Sequence, residues 1–303
     1  MENFLGIDVG GTNFKVAVVS SSGRIKDKIK YTTSELGEGD KFLQGFVDTV
    51  GKELKKHPEI TKIGIGIPGT ISKDRTTIVE TPNVPNMSGL PLLKALNSSF
   101  PGKIFHLEND ANAAALGEFY FSKEKLPDNF IFITLGTGIG GAAIIDRQIF
   151  KGGDGNSMEV GHILSRYGIT MEEKIGKKGL VNLAYFELGR HKGETTLTET
   201  SSTLNSKLLE KAALKGDELA IKVFNEMGII LGEGMIALVR VLDISTIVIG
   251  GGVSDNYHHI VDPMKEVMKN HLTPYYLKKL DVRKATLGNN AGIVGAASLC
   301  FID

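Results

Sequence analysis

The chain has 303 residues, which is enough for one large hydrophobic core or for two domains of ordinary size. Its 35 Lys and Arg residues balance 35 Asp and Glu residues, and this argues against nucleic acid as a main partner, because binding to phosphates needs a basic face. The one cysteine, Cys300, excludes an internal disulfide framework and is typical of a cytoplasmic protein.

The first predicted element is a β-hairpin of two apolar runs, residues 4–9 and 14–19, joined by the turn Gly10-Gly11-Thr12-Asn13. Gly and Asn favour such a turn because they accept positive φ angles. Asp8 ends the first strand beside turn residues with little side-chain bulk. Bare backbone N–H groups there can approach a phosphate, and a nearby carboxylate can hold the water shell of Mg²⁺. The alternative is an ordinary hairpin in which Asp8 bonds its own turn.

No basic segment precedes the first strand, so no signal peptide is expected.

An amphipathic helix is predicted for residues 41–56, because apolar side chains recur every fourth residue and Pro58 follows. Residues 62–68 alternate Ile and Gly and predict a strand, in which Gly64 and Gly66 indicate that another element packs closely on one face. The order strand, strand, helix, strand is typical of an α/β domain with a covered sheet. The segment Thr81-Pro82-Asn83-Val84-Pro85-Asn86 predicts an irregular loop that either lines a site or is a plain connection.

Asp110 lies where a predicted strand, residues 103–107, gives way to an Ala-rich helix, residues 111–121. Asp is a preferred N-cap residue of helices. A carboxylate held at this point can also accept the proton of an attacking hydroxyl group in phosphoryl transfer. The two roles are compatible.

A second hairpin with a Gly/Thr turn is predicted for residues 130–145. Gly136, Gly138 and Gly141 satisfy G-x-G-x-x-G, but the dinucleotide-binding form of this motif needs a helix directly after the glycines, and here a strand follows. No G-x-x-x-x-G-K-[ST] motif occurs, so the chain is not a P-loop protein. Two glycine hairpins far apart in sequence are suited to binding one polyphosphate from both sides.

The glycine-rich loop of residues 151–162 ends in Glu159 and His162, which can hydrogen-bond neighbouring hydroxyl groups of one sugar. A metal site lacks companion ligands, because neither a cysteine nor a second histidine stands at ligand spacing. The remaining alternative is a plain solvated pair. Residues 163–202 show no firm periodicity.

Helices are expected again from residue 203, with a break at Gly216-Asp217 and a long helix to about Arg240. The apolar stretch of residues 228–253 contains charged side chains and predicts no membrane span. A buried strand, residues 246–249, opens into Gly250-Gly251-Gly252, where a flat nucleoside can lie against bare backbone, or which serves only as a loop. Residues 287–299 predict a helix with a face of small residues for close packing.

In this order, the segments resemble the ROK family of bacterial sugar kinases, within the larger actin-like ATPase fold. The resemblance covers nearly the whole chain. Asp8-Val9-Gly10-Gly11-Thr12-Asn13 is similar to the first phosphate motif of the family, residues 135–141 to its second, and Gly250-Gly251-Gly252-Val253 to its adenosine motif. Glu108-Asn109-Asp110-Ala111-Asn112 is similar to the catalytic signature, and Glu159-Val160-Gly161-His162 to the sugar-binding E-x-G-H.

The resemblance implies a two-domain α/β protein of the actin-like ATPase (ribonuclease H-like) fold with a cleft between its domains. The N-terminal domain is expected at residues 1–117, with a helix at about 291–303 packed back on it, and a larger C-terminal α/β domain at residues 118–290. The implied reaction is ATP-dependent phosphorylation of a hydroxyl group, O6 being expected, of a hexose or hexose derivative, with Asp110 as general base. A homodimer is also implied.

The resemblance also implies the binding residues. Sugar contacts are expected from Gly69, Asn83, Asn109, Glu159, His162 and Asn182. Nucleotide contacts are expected from Asp8, Gly10, Gly11, Thr12, Asn13, Gly136, Thr137, Gly138, Gly140, Gly141, Gly250, Gly251 and Gly252, with Asp8 positioning Mg²⁺ through water.

The chain departs from the family pattern at two places. Family members continue past the His into a zinc segment, C-x-C-G-x-x-G-C-x-E, whereas residues 172–182 contain no cysteine, so no structural zinc site is expected and His162 keeps only its sugar role. Asn182 stands in place of the closing Glu, and an amide donates as well as accepts, so the preferred sugar can differ from glucose. Ser157-Met158 replaces the usual Ala-Gly, and Met158 can reshape the pocket.

Other readings stay open. A catalytically weak, kinase-like sugar sensor is one alternative, and polyphosphate is an alternative phosphoryl donor. A sugar-responsive repressor is disfavoured, because such relatives carry a helix-turn-helix domain before the kinase-like part and this chain shows no basic N-terminal extension.

Overall fold

The structure is a computed structural model that describes residues 2–81, 84, 87–197, 204–252 and 256–301. The strands are β1 (Asn3–Val9), β2 (Asn13–Ser20), β3 (Ile25–Thr32), β4 (Lys62–Ile67), β5 (Thr70–Ile71), β6 (Ile78–Glu80), β7 (Ile104–Asn109), β8 (Phe130–Leu135), β9 (Ile139–Ile145), β10 (Gln148–Ile149), β11 (Thr246–Gly250) and β12 (Asp281–Lys284). The α-helices are α1 (Asp40–Lys56), α2 (Leu92–Ser99), α3 (Asp110–Phe121), α4 (Met171–Ile175), α5 (Lys177–Leu188), α6 (Ser206–Leu214), α7 (Glu218–Leu242), α8 (Tyr257–His271), α9 (Pro274–Leu277) and α10 (Ala291–Ser298). Asn83, Val253 and most of the predicted loop of residues 81–86 lie outside the described residues.

The first sheet has the strand order β3-β2-β1-β4-β7. The predicted hairpin is confirmed, because β1 and β2 pair in antiparallel fashion, and β4 and β7 continue the sheet parallel to β1. Leu5 and Ile7 of β1 share a buried core with Phe42 and Phe46 of α1, which bears out the amphipathic helix. The sequence did not predict β3, which pairs with β2 at the edge of the sheet.

The helix α10 lies against the opposite face of this sheet, where Phe4 of β1 packs in a buried cluster with Ile293 and Ala297. Two glycines make this close approach possible. A Cβ atom at Gly6 would overlap the carbonyl oxygen of Ile293, and one at Gly64 would overlap that of Ala296. The predicted close packing against Gly64, and the small-residue face of the last helix, are therefore confirmed.

The second sheet repeats this arrangement with the order β10-β9-β8-β11-β12. β11 is parallel to both β8 and β12, and β9 lies on the other side of β8. The strand predicted at residues 246–249 is confirmed as β11. Among the described residues, no helix combines the length and the hydropathy that a membrane span requires.

The chain divides into two compact units. The first, unit 1, comprises the described residues up to Leu126, residues 142–157 and those from Thr286 onward, and the second, unit 2, comprises residues 127–141 and 158–285. These units are groups of residues in mutual contact. The expected domains, residues 1–117 and 118–290, stay a prediction.

Candidate functional site

The turn of the first hairpin, residues 10–13, is closed by a hydrogen bond from the backbone N–H of Gly10 to the carbonyl oxygen of Asn13 at 3.0 Å. Thr33 braces it from outside, because its hydroxyl donates to the carbonyl of Gly10 at 2.8 Å and its N–H to that of Thr12 at 2.9 Å. Gly11 and Thr12 are exposed. The expected positive φ angles are wrong for this turn, since the described residues with positive φ lie elsewhere. Glycine serves here because it lacks a side chain, and it leaves the backbone accessible.

Asp8 faces its cross-strand neighbour Lys15, whose Nζ donates to Asp8 Oδ2 at 2.9 Å. On its other side the carboxylate meets α10, where a Cβ atom at Gly292 would lie 2.8 Å from Asp8 Oδ1. No cluster of three or more candidate metal ligands occurs in the part of the chain that the structure describes. Mg²⁺ is commonly held by one or two carboxylates together with substrate phosphates, so a single carboxylate fits a metal ion that arrives with a nucleotide.

Asn109, rather than Asp110, is the N-cap of α3, which corrects the expected cap. Its Oδ1 accepts hydrogen bonds from the backbone N–H groups of Ala111 at 2.9 Å and Asn112 at 3.3 Å. Asp110 is the first residue of the helix, and its Oδ1 accepts from Ala111 N at 2.8 Å. The carboxylate thus lies at the positive end of the helix dipole, where a negative charge is favoured.

Gly69 and Asn109, two predicted sugar residues, are brought together, because Asn109 Nδ2 donates to the carbonyl oxygen of Gly69 at 3.2 Å. Gly69 has a φ angle of +92°, and a Cβ atom there would overlap the carbonyl oxygen of Glu80. Glycine at this position is therefore required by the backbone itself.

The buried carboxylate of Glu108 holds the residues at the start of α3 in place. Its Oε1 accepts from Asn109 N at 2.9 Å and from Asn112 Nδ2 at 3.1 Å. Its Oε2 lies 3.5 Å from both Arg75 Nε and Lys151 Nζ. Sequence reasoning missed both cations, because nothing in their local sequence indicates that they meet Glu108.

Asn156 and Arg75 fasten the glycine-rich loop of residues 151–157 to the β5–β6 hairpin. The amide of Asn156 accepts from Ile71 N at 3.0 Å and donates to Ile71 O at 2.8 Å. The guanidinium of Arg75 donates to the carbonyl oxygen of Gly155. Residues 151–157 are thereby held in unit 1. The contact of Lys151 with Glu108 holds them there as well.

The turn of the second hairpin is closed by Gly136 N, which donates to Gly138 O at 3.0 Å. A Cβ atom at Gly141 would lie 2.5 Å from the backbone oxygen of Met158, so packing excludes a side chain there, whereas one at Gly138 would lie 2.9 Å from Cδ of the Glu172 side chain and would have to displace that carboxylate. Gly136 faces open space instead. Contacts with the described residues therefore do not account for glycine at this position.

Glu159 is the N-cap of a short 3₁₀ helix in unit 2, Val160–His162, and His162 is the last residue of that helix. Both side chains are more than half exposed, and Glu159 Oε2 lies 3.9 Å from His162 Nε2. Desolvation raises the pKa of Glu159, an effect that His162 opposes and the negative charge of Glu172 reinforces. Met158, just before them, has a φ angle of +68°, a conformation that is uncommon outside glycine. Asn182 is exposed on α5.

The glycines after β11 differ in their surroundings. Gly251 has a φ angle of +90°, and its Cβ would lie 2.6 Å from Leu135 N, while a Cβ at Gly250 would press on Phe132 at 3.0 Å. Among the described residues, which do not include Val253, no atom lies within 4 Å of a Cβ atom at Gly252. Packing within the protein therefore accounts for glycine at positions 250 and 251.

The predicted site residues fall into two groups. Unit 1 contains Asp8, Gly10, Gly11, Thr12, Asn13, Gly69, Asn109 and Asp110. Unit 2 contains Gly136, Thr137, Gly138, Gly140, Gly141, Glu159, His162, Asn182, Gly250, Gly251 and Gly252. In unit 1 the structure brings Gly69 and Asn109 together beside Asp110. In unit 2 it places the second glycine turn beside the segment of the exposed Glu159 and His162.

Comparison with known proteins covers nearly the whole chain. The sequence model of the ROK family matches residues 4–301. A glucokinase of Halalkalibacterium halodurans is 31% identical over 98% of this chain and 94% of its own length. A solved structure from Cytophaga hutchinsonii is 37% identical, with a TM-score of 0.91 and 99% of both chains covered. The ROK family glucokinase of Streptomyces griseus, solved in complex with glucose and AMPPNP, is 30% identical, with a TM-score of 0.78 over 99% of this chain and 100% of that one.

Proposed function

Because this chain belongs to the ROK family, we propose that it transfers the γ-phosphoryl group of ATP to a hydroxyl group, O6, of a hexose or hexose derivative. It is an ATP-dependent sugar kinase with the two-domain actin-like ATPase fold, since glucokinases about 30% identical span nearly its full length and a ROK glucokinase shares its fold. The observation that carries the proposed chemistry is the fixed carboxylate of Asp110 at the start of α3.

Asp110 acts as the general base. It takes the proton of the sugar hydroxyl group as that oxygen forms a bond to the γ-phosphorus, and the bond between the γ-phosphorus and the β–γ bridging oxygen breaks, which releases ADP. The proton then leaves Asp110 for solvent. A rigidly held base is what this reaction needs from the protein, because positioning contributes more than covalent chemistry. The hydrogen bonds at Asn109 and Glu108 support that rigidity.

The remaining residues bind and orient the substrates. Sugar hydroxyl groups are taken by Asn109, Glu159, His162 and Asn182, and the phosphates by the backbone of residues 10–13 and 136–141. Bound with ATP, Mg²⁺ would neutralise charge on the phosphates, with Asp8 holding it through water. Lys15 fixes the orientation of Asp8 by its hydrogen bond at 2.9 Å.

The identity of the sugar is a separate proposal. The glucokinase of Streptomyces griseus was solved with glucose. In this chain the amide of Asn182 replaces the carboxylate of the family pattern, and Met158 adds bulk before Glu159. We therefore propose a hexose derivative other than glucose as the preferred substrate, and a homodimer as the assembly, which light scattering would measure.

The test of the mechanism is Asp110→Asn, assayed by coupled ADP release across a panel of hexoses and N-acetylhexosamines. We expect kcat to fall by about 10² to 10⁴, the usual contribution of a general base, while AMPPNP still binds. The matched control is Asp40→Asn, because Asp40 is likewise the first residue of a helix, α1, and lies outside the proposed site. Full activity of the Asp110 variant would remove Asp110 from the base role.

The position of transfer is tested with a 6-deoxyhexose, which should bind as an inhibitor without ADP release. Its consumption would exclude O6 as the acceptor. Wild-type protein that binds sugar but releases no ADP with any member of the panel would instead indicate a sugar sensor.

A further inference from the structure

The helix α4 occupies the segment that corresponds, in the family resemblance, to the cysteine-containing zinc segment, and a capping box stabilises its N-terminus. The hydroxyl of Thr170 accepts from Glu173 N at 3.2 Å, and Glu173 Oε2 accepts from Thr170 N at 2.9 Å. Two adjacent carboxylates therefore have different tasks. Glu173 closes the helix start, and Glu172 is left for contacts on another side of the helix.

Glu172 contacts the second glycine turn. Its Oε2 accepts a hydrogen bond from the backbone N–H of Ile139 at 2.9 Å, and it lies so close to Gly138 that a Cβ atom there would overlap it. Directly after α4, Lys177 N donates to the carbonyl oxygen of Thr137 at 3.1 Å. The turn is thus held at Thr137 and at Ile139, the residues on either side of Gly138.

The same carboxylate borders the segment that carries Glu159 and His162. A Cβ atom at Gly161 would lie 3.3 Å from Glu172 Oε2 and 2.5 Å from the carbonyl oxygen of Ile139. The backbone at Gly161 therefore packs directly on the glycine turn, with Glu172 beside both. Its charge also contributes to the raised pKa of Glu159.

We propose that Glu172 is a positioning residue that holds the glycine turn of residues 136–141 against the Glu159–His162 segment, so that its backbone N–H groups are set for the phosphates of ATP. This inference rests on the proposed kinase function. A negative charge beside a phosphate site would by itself weaken nucleotide binding. The hydrogen bond to Ile139, rather than the charge, is therefore the contribution of Glu172.

The test compares Glu172→Ala with Glu172→Gln, because Gln keeps an acceptor oxygen and loses the charge. AMPPNP binding is measured by calorimetry, KM for ATP and for the sugar by the coupled assay, and hydrogen exchange of residues 136–141 by mass spectrometry. We expect the Ala variant to weaken AMPPNP binding about tenfold and to speed exchange in the turn, because it loses the hydrogen bond to Ile139 N. The Gln variant should bind AMPPNP at least as tightly as wild type.

The matched control is Glu173→Gln, which removes a neighbouring charge but keeps the capping box. It should leave AMPPNP affinity and exchange unchanged. The proposal is overturned if the Ala variant matches wild type in both measurements, if the Gln variant is as impaired as the Ala variant, or if Glu173→Gln has the same effect.

A failure of the kinase proposal would look different. Wild-type protein would then release no ADP. If Glu172 holds the turn, hydrogen exchange of residues 136–141 would still be faster in the Ala variant than in the Gln variant. Equal exchange in all variants would overturn the role of Glu172 whatever the activity.

Discussion

Gly64→Ala should destabilise unit 1, because the new methyl group would enter the backbone of α10. A Cβ atom at Gly64 would lie 2.7 Å from the carbonyl carbon of Ala296 and overlap its oxygen, whereas unbonded carbon atoms pack at about 3.5–4.0 Å. The helix must therefore move by at least about 1 Å. It has little room to do so, since a Cβ atom at Gly117 of α3 would already lie 2.9 Å from Gly295 Cα.

The expected cost follows from this geometry. Overpacking a core costs about 1–3 kcal/mol, and the upper end applies because the clash is with backbone that cannot change rotamer. We expect a loss of about 3 kcal/mol in the free energy of unfolding, measured by urea titration with circular dichroism. In calorimetry this corresponds to a decrease in Tm of roughly 6–12 °C for a unit of this size.

Gly66→Ala is the matched control, on the same strand and the same face. Its Cβ atom would meet Ala113 Cβ at 3.4 Å, an ordinary contact. Its stability should therefore stay within about 1 kcal/mol of wild type, the size of the intrinsic Gly-to-Ala difference. Equal losses in the two variants, or a loss below about 1 kcal/mol for Gly64→Ala, would refute the packing argument.

Two further outcomes concern the site. Desolvation raises the pKa of Glu159, so the acid limb of kcat/KM for the sugar should lie above the ordinary carboxyl pKa of about 4.3 and should vanish in Glu159→Gln. The folded protein binds this proton more tightly than the unfolded chain, so the contribution of Glu159 to stability should fall as pH rises from the ordinary to the raised pKa. Calorimetry at several pH values should show that Glu159→Gln lacks this fall, and identical profiles would contradict the raised pKa. Asn109→Ala should lose about 2 kcal/mol of unfolding free energy, from the N-cap and the bond to Gly69, whereas Asn109→Ser keeps the cap and should lose about half as much. Urea unfolding measures both, and equal losses in the two variants would contradict the expected contribution of the N-cap.

Much of unit 1 could be predicted from local pattern. The fourfold spacing of apolar residues predicted a helix at residues 41–56, and the observed α1 is Asp40–Lys56. The alternation of Ile and Gly in β4 indicated close packing before its partner, α10, was known. Such features are encoded within one element, either by periodicity or by the missing side chain of glycine.

Other elements depend on partners distant in sequence. The edge strand β3 (Ile25–Thr32) is rich in charged residues, and its pairing with β2 decides its conformation more than its own propensity does. The helix α5 buries few of its residues, so its sequence carries little periodic signal. The choice of Asn109 over Asp110 as N-cap depends on where β7 ends, and both residue types suit the position.

Site residues could be predicted where they lie together in one sequence motif. They could not be predicted where residues distant in sequence meet only in the folded chain. Arg75 and Lys151 reach Glu108 from separate loops, and Glu172 reaches Ile139 from a helix that showed no pattern in the sequence. The only available signal for Glu172 was negative, namely the missing cysteines of its segment. Whether the predicted binding residues act together stays a prediction.

Because Cys300 is buried beside α10, its reaction with thiol reagents can measure how stably this helix packs on the sheet. The thiol is buried in the cluster beneath the last helix, and burial raises its pKa to about 12. Because the sequence has no other cysteine, every reaction with a thiol reagent reports exposure at this one place. Labelling rates of the native protein would thus record how often the C-terminal end lifts from the sheet, and Gly64→Ala should accelerate them well before the fold as a whole is lost.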